Sequence, residues 1–165
     1  MANQNMEEVT RTKINLRYVE ANNLRNRLAA ADTISPGELR NIEKQVLVLV
    51  SGPTRGHAYT RSVAASLRAR QGRLALAMEN LERIDSDDGI LPLRMEIQRA
   101  EWLWQTGKRN DSYARLRKVG EYYDWPLQVF PEMIRAAQQL GRSNDVTELR
   151  LTCVGRYPQS RQLCS

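Results

Sequence analysis

Gln71-Gly72-Arg73, Gln105-Thr106-Gly107-Lys108 and Gln139-Leu140-Gly141-Arg142 decide the fold. Their glycines are 35 and 34 residues apart, and each stands between two stretches with helical spacing. A tight turn between antiparallel helices needs one residue at positive φ just past the first helix, and glycine reaches it without a Cβ clash. After Gly72, the residues Leu74, Ala77, Met78, Leu81 and Ile84 form one apolar face of a helix. Tyr113, Leu116, Val119 or Gly120, and Tyr123 do the same after Gly107, as do Val146, Leu149, Cys153 and Tyr157 after Gly141. Three helix–glycine–helix units in phase predict an internal repeat of about 34 residues, the sequence signature of a repeat architecture.

Each unit closes on a turn signal: Asp85-Ser86-Asp87-Asp88-Gly89, Asp124-Trp125-Pro126 and Tyr157-Pro158. Proline there cannot continue the preceding helix. Pro131 limits the next helix, with Met133, Ile134, Ala137 and Leu140 as its buried side. Upstream, Ile14, Tyr18, Ala21, Leu24 and Leu28 make an amphipathic face. Ser35-Pro36-Gly37-Glu38 reads as a capping box with proline at the first helical position. Leu39, Ile42, Val46 and Leu49 continue helically, although the run Val46–Val50 also fits a short strand. The expectation is eight helices in one domain, paired as hairpins over 14–51, 57–86, 92–123 and 127–157, with 1–12 and 159–165 as flexible tails.

The chain has 165 residues, long enough for a domain of this size to bury a core without staples. Its longest unbroken apolar run, Val46–Val50, is far too short to span a bilayer. No secretory signal is visible after Met1, which makes the cytoplasm the default expectation and a periplasmic, excised or membrane-linked domain the alternative. The net charge is +6, and 21 of the 25 cations are arginine. From Gly52 to Met78 there is no carboxylate, against Arg55, Arg61, Arg68, Arg70 and Arg73. A basic excess favours acidic partners without saying anything about fold. Cys153 and Cys164 with the single His57 cannot supply a zinc site, so no metal is expected. Cys153 falls on an apolar stripe, Cys164 stands one residue from the last, and a reduced pair is the default, with a Cys153–Cys164 bridge as the alternative in an oxidising compartment.

The period near 34, the Gln-Gly turn, the small Ala77 five residues after Gly72 and the closing Pro158 resemble tetratricopeptide repeats over residues 58–158, and more loosely over 14–51. Pentatricopeptide repeats share nearly the same period and also favour Gly-Arg at the turn. Glu96 and Arg99 stand where the family carries an aromatic and a leucine, and Ser112 replaces an expected alanine. The resemblance implies an all-α, right-handed superhelix of about four antiparallel hairpins whose first helices line a concave groove. It assigns to that groove Tyr59, Ser66 and Arg70, then Arg94, Glu101, Trp104 and Gln105, then Arg135, Gln138 and Gln139. Such a wall suits an extended acidic peptide or a C-terminal carboxylate.

Catalytic readings are poorly supported. Ser51-Gly52-Pro53-Thr54-Arg55-Gly56 mimics a phosphate loop but has three residues between its glycines and His57 where lysine should stand, so it reads as an interhelix loop with Thr54 as a cap. No Gly-x-Ser-x-Gly elbow accompanies His57, and Asp85, Asp87 and Asp88 lack calcium-loop spacing. Trp102 and Trp104 lie on different faces of one helix and are expected to pack, as are Tyr122, Tyr123 and Trp125. The reading is a non-catalytic adaptor without cofactor. The alternative is a nucleic-acid-binding repeat whose basic face comprises Arg55, Arg61, Arg68 and Arg73, weakened by aromatics that cluster near 102–125, away from the arginines.

Overall fold

The three glycine turns share one geometry. Gly72, Gly107 and Gly141 sit at φ of 74°, 81° and 70°. The residue after each returns its N–H to the carbonyl five positions back: Arg73 to Arg68 at 2.8 Å, Lys108 to Leu103 at 2.9 Å and Arg142 to Ala137 at 2.9 Å. Each glycine N–H reaches the carbonyl three back, at 2.9, 3.0 and 3.1 Å. Both bonds together form the Schellman cap that stops a helix and satisfies its last carbonyls.

The computed structural model describes residues 2–30, 33–53, 55–84 and 90–165, with the side chains of 2–9 and 30 set aside. They form α1 (Ala2–Ala30), α2 (Pro36–Ser51), α3 (Ala58–Arg70), α4 (Leu74–Glu82), α5 (Leu93–Gln105), α6 (Arg109–Tyr122), α7 (Val129–Gln139), α8 (Ser143–Arg156) and a 3-10 helix (Pro158–Cys164). No strand occurs among the described residues, so the fold class is all-α. No described helix is long and apolar enough to cross a membrane. Thr54 and the stretch 85–89, including Asp85, Asp87 and Asp88, lie outside the described residues. The chain divides into two compact units, 1–89 and 90–165.

In the first unit, Ala21, Leu24 and Leu28 of α1 meet Ile42, Val46 and Leu49 of α2 and Val63, Ala64 and Leu67 of α3 in one core. The run Val46–Val50 is helical: Val46 and Leu49 are buried, whereas Leu47 and Val48 face outward, as a period of 3.6 demands. Ser35 accepts from the Glu38 N–H at 3.2 Å and Pro36 opens α2. The Glu38 carboxylate does not turn back to the cap; it pairs with Arg27 at 2.8 Å.

The second unit packs Tyr113, Leu116 and Val119 of α6 against Val129, Phe130, Met133, Ile134 and Ala137 of α7 and Leu149 and Cys153 of α8. α7 begins at Val129, two residues before Pro131, whose missing N–H costs nothing in a first turn. Asp124 and Trp125 take positive φ, 53° and 57°, and the Trp125 ring lies so close to Gly120 that a Cβ there would meet it at 2.8 Å. Two bonds repeat across this unit. Tyr123 donates to the Leu91 carbonyl at 2.7 Å, and Tyr157, 34 residues on, donates to the Trp125 carbonyl at 2.9 Å.

The cysteines correct the sequence reading. Cys153 and Cys164 form a disulfide, and both are buried. A final 3-10 turn brings Cys164 back onto α8, so 158–164 is a clasped segment where a tail was expected. The other expected tail, 1–12, falls within α1 from Ala2 onward.

Candidate functional site

The expected groove residues are distributed over both units. In the second unit, α5 and α7 flank a shallow cleft floored by α6. Ile97, Ala100, Leu116 and Ala136 supply apolar surface, and Glu101, Trp104, Glu132 and Arg135 supply the rim. Its volume of about 10 Å³ admits at most one water, so a ligand would lie across it rather than enter it. Trp104 is half-buried against the core while the Arg109 guanidinium covers its ring at 5.3 Å. Trp102 is buried, as the packing reading held.

The polar groups on this face are partly occupied by each other. Glu101 accepts from Gln98 at 2.8 Å and from Gln105 at 3.3 Å. Arg135 pairs with Glu132 one turn away. Arg94, Gln138 and Gln139 are exposed on the same two helices. The cleft is therefore amphipathic and of mixed charge.

In the first unit, the residues of the expected groove and basic face have local roles. The Arg70 Nε donates to the Leu28 carbonyl at 2.8 Å, closing the last turn of α1. Arg68 pairs with Glu43 of α2 at 2.9 Å and donates to Gln71 at 2.7 Å. Hydrogen bonds from Gln71 and Arg68 hold the Glu43 carboxyl below its usual range. Packing thus imports a carboxylate into a stretch that has none in sequence. Arg61 is half-buried and reaches Asn80 of α4 at 3.5 Å. Arg55 and Arg73 are exposed, and Ser66 is half-buried. Tyr59 is exposed and belongs to an aromatic trio: Tyr18 lies 4.1 Å from His57, and His57 5.5 Å from Tyr59, centroid to centroid. The Nδ1 of His57 also accepts from the Tyr59 N–H at 3.4 Å, capping α3.

Two features had escaped the sequence reading. Glu96 of α5 is fully buried. Its carboxylate accepts from the Leu91 N–H at 2.8 Å and from both arms of the Arg115 fork, with the Nε at 2.6 Å. The available signal was an acid one residue after Met95 and four before Ala100, both buried positions of α5. The aromatic trio had no comparable signal, because Tyr18 comes from a helix some forty residues earlier.

No group of three or more histidine, cysteine, aspartate or glutamate side chains converges on a metal-sized site among the described residues. Comparison with models of known families finds none that matches, and no curated protein or solved structure matches the chain.

Proposed function

We propose that the chain is a non-catalytic interaction module that holds an extended segment of a partner protein across the α5–α7 face. One observation carries this reading: a half-buried tryptophan, Trp104, stands at an apolar cleft too shallow for a small molecule and rimmed by charges of both signs. Buried aromatic anchors ringed by polar contacts are what protein recognition uses. The three equivalent glycine turns and the in-phase Tyr123 and Tyr157 bonds support a repeat of the tetratricopeptide kind. We extend that reading to a right-handed superhelix with α5 and α7 on the concave side. The net charge of +6, with Arg94 and Arg135 on the face, favours a partner segment that carries carboxylates. The Cys153–Cys164 bond supports maturation in an oxidising compartment, where such bonds persist.

The test is an affinity capture from native lysate with wild-type protein, Trp104→Ala and Arg135→Glu, each with and without nuclease. A protein retained by wild type after nuclease, and lost about tenfold by both variants, supports the reading. Equal capture by all three would place the interface elsewhere. A nucleic-acid reading has one observation in its favour: the trio Tyr18, His57 and Tyr59 brings stacking surfaces beside the start of arginine-bearing α3. Recovery of nucleic acid, with protein lost on nuclease treatment, would select it.

A further inference from the structure

Between α2, α3 and α4 lies a cavity of about 70 Å³, lined by Val46, Leu47, Val50, Ala64 and Leu67 and by the polar groups of Glu43, Arg61, Arg68 and Asn80. A water needs about 10–15 Å³ of such space, so there is room for a carboxylate group and a short hydrocarbon chain. The arginines differ sharply. Arg68 is neutralised by Glu43. The buried Nε of Arg61 has no acceptor, and its fork reaches only the neutral Asn80 amide, at 3.5 Å. The charges that act on it are those of Arg83 and Arg55, both cations. Burial pushes the guanidinium below its usual range, and the like charges of Arg83 and Arg55 add to the effect. A half-buried guanidinium without a counter-ion is costly, and leaving a buried donor unpaired adds to that cost.

We infer that this cavity is a binding site for an aliphatic monocarboxylate, with Arg61 as its anchor. A guanidinium fork matches a carboxylate in a bidentate way, and a bound carboxylate supplies the counter-charge that Arg61 lacks. The apolar wall selects for the rest of the ligand: Val46, Val50 and Leu67 offer contact to a short hydrocarbon chain, and the half-exposed Leu47 leaves it a way out. Glu43 sets the charge. Held ionised at the cavity wall, it repels a phosphate dianion more strongly than a singly charged carboxylate. The ligand is a small free acid or the last residue of a peptide chain, which share this chemistry. The site is separate from the α5–α7 face and does not rest on the function proposed for it.

The experiment titrates the full chain with acetate, butyrate, inorganic phosphate, and a short peptide ending in valine as free acid or as amide. Ionic strength is held with chloride, and binding is read from backbone amide shifts in α2, α3 and α4. Saturable butyrate binding is expected, tighter than acetate by about fourfold for each methylene the wall accommodates. A preference for the peptide acid over both butyrate and the peptide amide would identify a chain terminus as the ligand; butyrate as the tighter ligand would identify a small acid. Arg61→Met should abolish carboxylate binding at least tenfold and raise the urea midpoint of the ligand-free protein, because an uncompensated charge is removed. Arg55→Gln should leave binding within twofold. Carboxylates that shift nothing in wild type, or bind Arg61→Met as well as wild type, overturn the inference, as does phosphate binding more tightly than butyrate.

Discussion

Replacing Glu96 with alanine is the sharpest test of what holds the second unit together. The carboxylate is fully buried, and its partners are nearly so: the Arg115 side chain is 16% exposed and the Leu91 N–H points inward. Glu96→Ala leaves a guanidinium without its carboxylate and a backbone donor without an acceptor. Breaking a buried pair from one side costs about 3–5 kcal/mol, of which about 1–3 kcal/mol is the unsatisfied donor. A domain of this size has a total stability of about 5–15 kcal/mol, so the loss is a large fraction. Trp102, Trp104 and Trp125 all lie in 90–165, so tryptophan fluorescence reports this unit alone while circular dichroism reports every helix. With a urea dependence of about 1.5 kcal/mol per molar, the fluorescence midpoint should fall by about 2–3 M. The milder Glu96→Gln, which keeps one acceptor, serves as the readable variant if alanine unfolds the unit in water. Glu96→Leu combined with Arg115→Met should recover most of the loss, since apolar replacement of both partners is often neutral or stabilising. A midpoint shift equivalent to less than about 1 kcal/mol for Glu96→Ala would refute the assignment of a dry, unrelayed ion pair.

Four further outcomes are expected. Free-thiol titration of the native protein should find no thiols until reductant is added; reduction, or Cys164→Ser, should cost about 3 kcal/mol, the loop-closure value for a bridge spanning eleven residues. Gly107→Ala, at φ of 81° with open space around its Cβ, should cost about 1–2 kcal/mol of backbone strain alone. Gly120→Ala should cost more and also shift Trp125 emission, because the new methyl meets that ring. Burial of Tyr113, then its hydrogen bond to Asp145 and that carboxylate's charge, push its phenol up to about 12. The folded state therefore keeps this proton after the unfolded chain releases it near pH 10. The resulting stability is intact below pH 10 and lost as the pH rises through about 12, at about 1.4 kcal/mol per unit. Urea midpoints at pH 9 and 11 should differ in wild type and differ less in Tyr113→Phe, with a remainder from Tyr123, whose phenol burial also pushes up; equal slopes in both would show that the Tyr113 phenol titrates normally.

The hairpins were legible because turns are local. Gly72, Gly107 and Gly141 each close a cap whose partners lie within five residues, so composition and spacing alone carried the signal. Helix faces were legible for the same reason: Ala77, Leu81, Leu116, Val119, Leu149 and Cys153 are buried where a period of 3.6 places them. The surface was not. The acid-free stretch from Gly52 to Met78 looked like a basic face, yet Arg68 finds Glu43 of α2, 25 residues back, and Arg70 finds the end of α1, 42 residues back. Charge along a sequence is not charge on a surface once helices from elsewhere are packed against it. The disulfide was a matter of distance in the same way. Spacing alone left the pair open, and a seven-residue 3-10 segment brings Cys164 to α8.

Glu96 joins these observations. At this position α5 departs from α7, where Phe130, 34 residues on, fills the space between helices. The space here is filled by an ion pair, with Arg115 from the second helix of the same hairpin and the Leu91 N–H from the chain entering the first. Tyr123 donates to the carbonyl of that same Leu91, so one residue is held through its N–H by α5 and through its carbonyl by the end of α6. The corresponding point one repeat later, Trp125, keeps the carbonyl bond from Tyr157, but its N–H goes to the Gly120 carbonyl and its indole packs on Phe130. The repeat therefore conserves its backbone anchor while exchanging the filler, polar in one copy and aromatic in the next. That exchange accounts for a period that is strict in the turns and diffuse in the core residues. It also predicts that Tyr123→Phe and Tyr157→Phe, which remove equivalent bonds, destabilise the second unit by similar amounts, about 1 kcal/mol each. Only Tyr123→Phe should add to the effect of Glu96→Gln by less than the sum, because those two act on one residue. Simple additivity of that pair in urea titrations would separate the anchor from the ion pair.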